Sequence, residues 1–547
     1  MSTSVVPPRS QPRLPTINED NRRWWTLGAM CFALFMVMLD NTVVNVALPS
    51  IQRSLHASTS SLEWTVNAYT LSFAVLLVTG GRLGDLFGRR RVFLFGVVTF
   101  AVASAAIGFS PNDTWLVAGR AVQGVGAAFM MPATLSIISN AFPPHERGKA
   151  IGTWAGVSAM ALAIGPVVGG FLVESVSWQS IFFLNVPVAI LAVAVTLFAT
   201  HESRDETAVR SVDIPGVATI TVGLSALVIA LVEGNSWHWG SARVIGLLVV
   251  AVAGLVGFAV AERHVAAPMV DFSFFRSRSF FGASTVAFIV SFAMLAMFFF
   301  LALYLQNILH YSPLEAGVRF LPSTAMIIVL GPIAGRLADR VGPKPLMTGG
   351  LVLVSAALFW ESRLGINSSY LFLLPGFVLL GLGMGFVMSP MSTAAMNAVH
   401  QTKAGVASGI LNMSRMVGGT FGVAVLGALI ATLGRSRIDA LLPHLPAASR
   451  ARLADALGSG GGLGAGHVAP TIANAVRQAY VQSLGSGLRV GGAVALLGAV
   501  VAWMLISDRP EQPSDAPSPP SGEPVARAAR DTAPELSDDR LRQPLRA

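Results

Sequence analysis

The chain has 547 residues, of which 53% are hydrophobic and only 12% are charged. Soluble globular proteins carry about 25% charged residues, so the composition excludes a string of soluble domains. The net charge of +9 comes mostly from arginines scattered through short segments, which favours a basic membrane face over a nucleic-acid-binding surface. With one cysteine, Cys31, the chain has no intramolecular disulfide. These features indicate an integral membrane protein.

Fourteen apolar stretches are long enough, at about 20 residues, to cross the hydrocarbon core as helices. Each is continuously apolar, without the alternation of barrel strands, so we predict an all-α polytopic membrane protein. The predicted spans are 24–48, 63–80, 92–109, 115–138, 150–172, 178–199, 213–232, 243–261, 280–308, 315–335, 346–361, 370–393, 405–433 and 488–506.

The distribution of basic residues predicts the orientation of these spans. With a cytoplasmic N-terminus, the short inside loops hold 15 lysines and arginines, and the short outside loops hold only Arg53 and Arg363. Basic residues are retained on the cytoplasmic side. We therefore expect a multi-pass protein of the cell (inner) membrane with both termini in the cytoplasm. Residues 1–23 are polar and precede a long apolar run, which argues against a cleavable signal.

An internal repeat predicts the domain organisation. The segment GRLGDLFGRR (Gly81–Arg90) recurs as GRLADRVGPK (Gly335–Lys344), with five of ten positions identical. The copies follow spans 2 and 10, which indicates two parallel six-helix units with two helices inserted between them. The predicted parts are a cytoplasmic tail 1–23, a first half 24–200, inserted helices 201–279, a second half 280–506 with an extracytoplasmic loop 434–487, and a disordered cytoplasmic tail 507–547.

The sequence resembles the major facilitator superfamily, and within it the 14-helix drug:proton antiporters. The repeated loops resemble the signature of the superfamily. Four further segments resemble motifs of that antiporter family, namely LDNTVVNVALPSIQ (Leu39–Gln52), RAVQGVGAAFMMPA (Arg120–Ala133), GPVVGGFL (Gly165–Leu172) and WQSIFFLNVPVA (Trp178–Ala189). The resemblance covers residues 24–506 and implies the major facilitator fold, with two six-helix halves plus two inserted helices.

Asp40 and Arg120 are the candidates for proton coupling. Asp40 lies deep in the first apolar run, where a carboxyl group costs on the order of 3 kcal/mol and is a functional candidate by default. Burial favours a protonated carboxyl, and a guanidinium such as that of Arg120 favours the ionised form. In the alternative, Asp40 lies at the outer interface and Arg120 extends toward lipid headgroups. The resemblance implies a coupling role for both residues.

The repeated loop supplies a candidate cytoplasmic gate. Its glycines permit a tight connection between spans, and topology alone would explain its arginines. Topology does not explain the acidic residue. The resemblance implies that the loop latches one half against the other on the cytoplasmic side. The gate residues are Gly81, Asp85, Gly88, Arg89 and Arg90, with Asp339 in the second copy.

The motif associated with antiporters contains Gly165, Pro166, Gly169 and Gly170. Small residues four apart let helices approach closely, and proline removes an amide donor and bends the helix. Ordinary close packing is the alternative explanation.

Several polar and aromatic side chains within the spans are candidates to line a substrate cavity. The alternative for the aromatic ones is a position facing lipid. The candidates are Asn45, Gln123, Phe292, Tyr304, Gln306, Asn412 and Arg415.

The sequence has no phosphate-binding loop, zinc-protease motif or serine-hydrolase motif. We therefore expect no enzyme activity, no cofactor and no metal, with a proton gradient as the energy source. The expected function is proton-coupled efflux of hydrophobic or cationic small molecules by a monomer in the lipid bilayer, without nucleic acid. Open alternatives are a dedicated exporter of one endogenous lipid, siderophore or antibiotic, and a non-transporting sensor or scaffold. Partners outside the cell membrane are not indicated.

Overall fold

A computed structural model describes residues 19–57, 59–204, 213–234, 237–265, 272–458 and 470–508. Over these residues the chain forms α-helices, two short 3-10 segments and connecting turns, without a β-strand. The helices are α1 (Glu19–Leu55), α2 (Thr59–Phe87), α3 (Arg89–Gly108), α4 (Asp113–Ala141), α5 (Pro144–Ser175), α6 (Ser180–Phe183), α7 (Asn185–Ala199), α8 (Ile214–Glu233), α9 (Ala242–His264), α10 (Arg278–Asn307), α11 (Pro313–Arg319), α12 (Leu321–Val341), α13 (Pro343–Glu361), α14 (Tyr370–Asn397), α15 (Ala404–Leu441), α16 (Ala447–Gly458) and α17 (Pro470–Leu505).

A helix occupies each of the fourteen predicted spans. Within the described ranges, 13 helical segments are long and apolar enough to cross a membrane, with α6 and α7 together forming one of them. Helix α5 is not among those 13, but its 32 residues extend for about 48 Å, more than the thickness of the hydrocarbon core. The predicted all-α membrane fold is confirmed.

The last span differs from its prediction. The apolar run that predicts this span starts only at residue 488. The structure instead has one helix, α17, of 36 residues. Arg477 and Gln482 interrupt the apolar pattern but do not break a helix, because both residue types have good helix propensity. Residues 459–469 lie outside the described residues, as do most of the two predicted tails.

The helices pack in two groups that repeat the same arrangement. In the first group α4 packs on α2 and α3, and α1 packs on α5 and α7. In the second group α14 packs on α12 and α13, and α10 packs on α15 and α17. We call α1–α7 the N-terminal group and α10–α17 the C-terminal group. Helices α8 and α9 pack on each other, and α8 also contacts α2 and α15.

Two crossed helix pairs join the groups. Helix α2 packs on α15, and α12 packs on α5. Because α2 corresponds to α12 and α15 to α5, these two contacts are equivalent in the repeat. This packing agrees with the parallel repeat that the two loop motifs indicate.

Glu361 ends α13 and is fully buried, and its carboxyl oxygens have no hydrogen-bond partner among the described residues. A buried polar group without a partner costs about 1–3 kcal/mol. We expect Glu361→Met to raise the thermal unfolding midpoint of the purified protein by a few degrees. The matched variant Glu361→Gln keeps a polar group and should unfold near the wild-type midpoint. A lower midpoint for the methionine variant would contradict this account.

Candidate functional site

The structure brings Asp40 and Arg120 into direct contact. Asp40 is the 22nd of the 37 residues of α1, and Arg120 lies two turns inside α4. The Arg120 Nη1 atom lies 2.5 Å from Asp40 Oδ2, and each side chain is only 1% exposed. Neither side chain therefore extends toward lipid headgroups, and both face the interior of the helix bundle. The pair is a buried ion pair within the N-terminal group.

Three more polar side chains complete the site around Asp40. Gln123 Nε2 donates to Asp40 Oδ1 at 2.9 Å, and Asn185 Nδ2 donates to the same oxygen at 3.2 Å. Ser104 Oγ accepts hydrogen bonds from both amides, at 2.8 Å from Gln123 and 3.3 Å from Asn185. We call these five residues the Asp40 cluster. It joins α1, α3, α4 and α7.

Arg120 is also held by α2. Its Nε atom donates to the backbone carbonyl of Thr65 at 3.0 Å, and its Cζ atom lies 4.2 Å from the centroid of the Tyr69 ring. A desolvated guanidinium over an aromatic face gains about 2 kcal/mol or more. The arginine is therefore fixed from two sides and points its charge at Asp40.

Asn185 and Ser104 belong to the site but were not among the candidates from the sequence. Each is a polar residue within an apolar run, and Asn185 lies inside the quoted segment WQSIFFLNVPVA. The segment was noted only for its resemblance to a family motif. Its buried amide side chain is the signal that could have identified Asn185 as a site residue. Ser104 lies among other small residues of α3 and gives no comparable signal.

Asn185→Ala removes one of the donors to Asp40 and leaves the ion pair with Arg120 in place. A lost hydrogen bond to a charged group is worth about 1.5–3 kcal/mol, and some of that is recovered by water or by Ser104. We expect the rate of pH-driven export to fall about tenfold in membrane vesicles. The control is Ser110→Ala, whose hydroxyl bonds only to its own turn, at Ile107. Wild-type export by folded Asn185→Ala protein would contradict a role for the amide.

The predicted gate residue Asp85 lies in the last turns of α2 and contacts the start of α15. Its carboxylate accepts the backbone N–H groups of Gly405 and Val406, each at 2.9 Å. Arg89 Nη2 lies 2.8 Å from Asp85 Oδ1 and also donates to the carbonyls of Gln401 and Thr402. We call Asp85, Arg89 and these backbone groups the cytoplasmic latch. An anion at a helix N-terminus is stabilised by the helix dipole.

The second copy of the motif makes the equivalent contact. Asp339 Oδ1 accepts the backbone N–H of Gly148 on α5 at 3.2 Å. Ser389 Oγ donates to the Gly148 carbonyl at 3.2 Å, and Arg147 Nη1 donates to Asn397 Oδ1 at 3.0 Å. The groups are therefore joined at both copies of the repeated motif. This copy has fewer hydrogen bonds to its aspartate than the latch at Asp85.

Glycines permit these two contacts. A Cβ atom at Gly405 would overlap the backbone of Gly81, and one at Gly335 would overlap the backbone of Gly148. The helices cross so closely that no side chain fits between them at either place. Gly81 was predicted as a gate residue, and its partners were not.

The rest of the predicted gate motif serves the local turn. Gly88 separates α2 from α3 by adopting a positive φ of 111°. Gly342 separates α12 from α13 in the same way, with a φ of 87°. Arg90 points away from the C-terminal group. Its Nη2 donates to the carbonyl of Leu197 at 2.8 Å, and its backbone N–H donates to Glu202 at 3.0 Å. In this structure Arg90 therefore does not join the two groups.

Helix α5 meets α1 beside Asp40 through the predicted antiporter motif. A Cβ atom at Gly165 would overlap Thr42, and one at Gly169 would lie 3.2 Å from Val43. Gly170 has open space in front of it. The side chain of Pro166 lies outside the described residues, but α5 continues through its position. Gly165 and Gly169 thus let α5 pack closely against α1, within two to three residues of Asp40.

The predicted cavity candidates do not share one location. Gln123 belongs to the Asp40 cluster. Tyr304 donates its hydroxyl to the carbonyl of Gly365 at 2.7 Å and so ties α10 to the turn between α13 and α14. Phe292 is buried and packs near Phe421, with ring centroids 6.3 Å apart.

The other four candidates have varied surroundings. Asn412 donates to the carbonyl of Ser408, one turn earlier in its own helix, at 2.9 Å. Arg415 Nη2 donates to Ser392 Oγ at 2.7 Å. Gln306 is half-buried near the end of α10, and the side chain of Asn45 lies outside the described residues. Of the seven, Arg415 is the charged residue, and it lies between the two groups.

Comparisons with known proteins agree with this architecture. The sequence profile of the family described as the Major Facilitator Superfamily matches residues 30–423. The chain is 36% identical to the tetracenomycin C resistance and export protein of Streptomyces glaucescens, over 94% of this chain and 98% of that protein. It is 37% identical to the multidrug resistance protein Stp of Mycobacterium tuberculosis, over 77% of this chain and 78% of that protein. Among solved structures, the proton:xylose symporter XylE has a TM-score of 0.60 at 12% identity, covering 90% of this chain and 97% of that one.

Proposed function

The chain belongs to the major facilitator superfamily, and we propose that it is a proton-coupled efflux transporter. It exports hydrophobic or cationic small molecules across the cell membrane by alternating access, with both termini in the cytoplasm. The observation that carries the proposal is the buried ion pair of Asp40 and Arg120 within the membrane helices. The similarity to resistance and export proteins supports the direction of transport.

Proton binding at Asp40 couples to the packing of the N-terminal group. The ionised carboxylate is held by Arg120, Gln123 and Asn185, which lie on α4 and α7. A proton on Asp40 removes the charge that these donors face and leaves Arg120 without its counter-charge. The four helices of the Asp40 cluster then rearrange. Because Gly165 and Gly169 pack closely against α1, a movement of α1 also moves α5.

The cytoplasmic latch stabilises the conformation in which the cytoplasmic side is closed. Its hydrogen bonds and the crossing of Gly81 with Gly405 exist only while α2 and α15 touch. Rocking of one group against the other breaks these contacts and those between α5 and α12. A membrane potential of 100 mV supplies about 2.3 kcal/mol for each proton charge that moves inward, enough to shift such an equilibrium.

Substrate-dependent proton movement in proteoliposomes tests the proposal. The purified protein is reconstituted with a trapped pH indicator, and a panel of dyes and drugs is added under an imposed pH gradient. We expect transport of a substrate in one direction to drive protons in the other, and a protonophore to abolish uphill transport. Uphill transport that persists with the protonophore present would contradict the proposal.

A dedicated exporter of one endogenous product is the second candidate. Relatives of this chain include the tetracenomycin C resistance and export protein and a probable actinorhodin transporter of Streptomyces coelicolor, 34% identical over 79% of this chain. The same panel distinguishes the candidates. Movement of several unrelated dyes supports multidrug export, and movement of a single compound class supports the dedicated exporter.

A further inference from the structure

Arg415 places a positive charge within the membrane-spanning part of α15. It follows Gly405, which touches the cytoplasmic latch, by ten residues, or about 15 Å along the helix. That distance is half the thickness of the hydrocarbon core, about 30 Å. An ionisable side chain at this depth is a functional candidate by default.

The guanidinium lies at the boundary between the two groups. Its Nη2 atom donates to Ser392 Oγ on α14 at 2.7 Å, and its Cζ atom lies 6.0 Å from the centroid of the Trp154 ring on α5. Its Nε atom is buried without a hydrogen-bond partner among the described residues. The residue as a whole is half-buried, so part of the side chain faces open space. One hydroxyl therefore satisfies only a small part of a group with five N–H donors.

Two other buried arginines show what Arg415 lacks. Arg120 is paired with Asp40, and Arg89 is paired with Asp85. Across the described part of the chain, no carboxylate forms an ion pair with Arg415. Burying a charge without a counter-charge is costly. Arg415 is thus a cation that attracts an acidic group. It lies at the boundary between the N-terminal and C-terminal groups, within the membrane-spanning helices, where transporters of this type bind substrate.

We propose that Arg415 binds an acidic group, such as a carboxylate or phenolate, of the transported compound. This inference rests on the proposed function and extends its substrate range from hydrophobic and cationic compounds to hydrophobic acids. The two Nη groups of the guanidinium retain N–H donors in one plane, an arrangement that matches the two oxygens of a carboxylate. Ser392 holds the guanidinium in place from the C-terminal group.

Two dyes that share a xanthene ring system but differ in charge test the inference. Fluorescein is an anion with a carboxylate and a phenolate at neutral pH, and rhodamine 123 is a cation with an esterified carboxyl group. Binding of each dye to the purified protein is measured by fluorescence anisotropy without a pH gradient. We expect Arg415→Gln to weaken fluorescein binding at least about tenfold and to leave rhodamine 123 binding within about twofold of wild type.

Two further variants keep the test decisive. Arg415→Lys retains the charge but loses the planar pair of donors. It should therefore weaken fluorescein binding by about three- to fivefold and leave rhodamine 123 binding unaffected. This variant tests the inference if Arg415→Gln does not fold. Arg363→Gln removes an equal charge from an exposed position and should bind both dyes as wild type does.

The inference is overturned if the wild-type protein does not bind fluorescein or if Arg415→Gln binds fluorescein as tightly as wild type does. It is also overturned if Arg415→Gln weakens the binding of both dyes equally. Because binding is measured without a gradient, it separates this inference from the proposed function. A protein that binds fluorescein through Arg415 but moves no protons would contradict the proposed function alone.

Discussion

Asp40→Asn is expected to abolish pH-driven export while leaving the protein folded. The asparagine side chain has the same size and still accepts hydrogen bonds from Gln123 and Asn185, but it cannot gain or lose a proton. In everted membrane vesicles, the uphill transport rate should fall by about 100-fold or more, to the level of passive leak. Transport down a substrate gradient should continue, because the variant resembles the protonated state of the site.

Asp439→Asn is the matched control. Asp439 is an exposed carboxylate that pairs with Arg450 near the end of α15, far from the Asp40 cluster along the chain. Its removal should leave uphill export unchanged, because an exposed ion pair contributes little. If Asp40→Asn exported substrate uphill at the wild-type rate, Asp40 would not be the coupling residue.

Gly405→Val is expected to prevent closure of the cytoplasmic side. The added Cβ would overlap the Gly81 backbone and approach the Asp85 carboxylate, and a backbone overlap cannot be relieved by a side-chain rotation. Overpacking of this kind costs about 1–3 kcal/mol, which lowers the population of the closed conformation by about 5- to 150-fold. Export should fall with it, because the transport cycle must pass through that conformation.

Spin labels on the cytoplasmic side measure this closure directly. Arg91 and Gln401 are exposed residues next to the latch on its two sides, and labels at these positions report the separation of the two groups. We expect a short distance in the wild type and a longer one in Gly405→Val. The control is Gly349→Val, where an added Cβ has no neighbour within 4 Å. A wild-type distance distribution in Gly405→Val would contradict the assignment of this contact as the gate.

The fold and the location of the candidate site could largely be predicted from the sequence. Apolar length alone determines where a chain can cross a bilayer, because every backbone polar group in lipid must be satisfied within a helix. A charge such as Asp40 or Arg120 within such a run is costly, so it was identifiable without a structure. The repeat of Gly81–Arg90 at Gly335–Lys344 indicated the two groups.

The partners of these residues could not be predicted in the same way. Asn185 lies 145 positions from Asp40 and Gly405 lies 324 positions from Gly81, and no local pattern specifies which distant residue a side chain will contact. Tyr304 is an aromatic residue with a polar group, as expected of a cavity residue, yet its hydroxyl donates a hydrogen bond to the Gly365 carbonyl. The continuous helix α17 was missed because polar residues end an apolar pattern without ending a helix.

In the proposed antiport, the proton on Asp40 and the bound substrate favour different conformations, so each weakens the binding of the other. This central claim is tested most directly by proton release from the purified protein in weakly buffered solution when a transported substrate is added. The account predicts that substrate binding releases protons from the wild type and that Asp40→Asn binds substrate without releasing any. Substrate binding without proton release from the wild type, or equal release from Asp40→Asn, would contradict it.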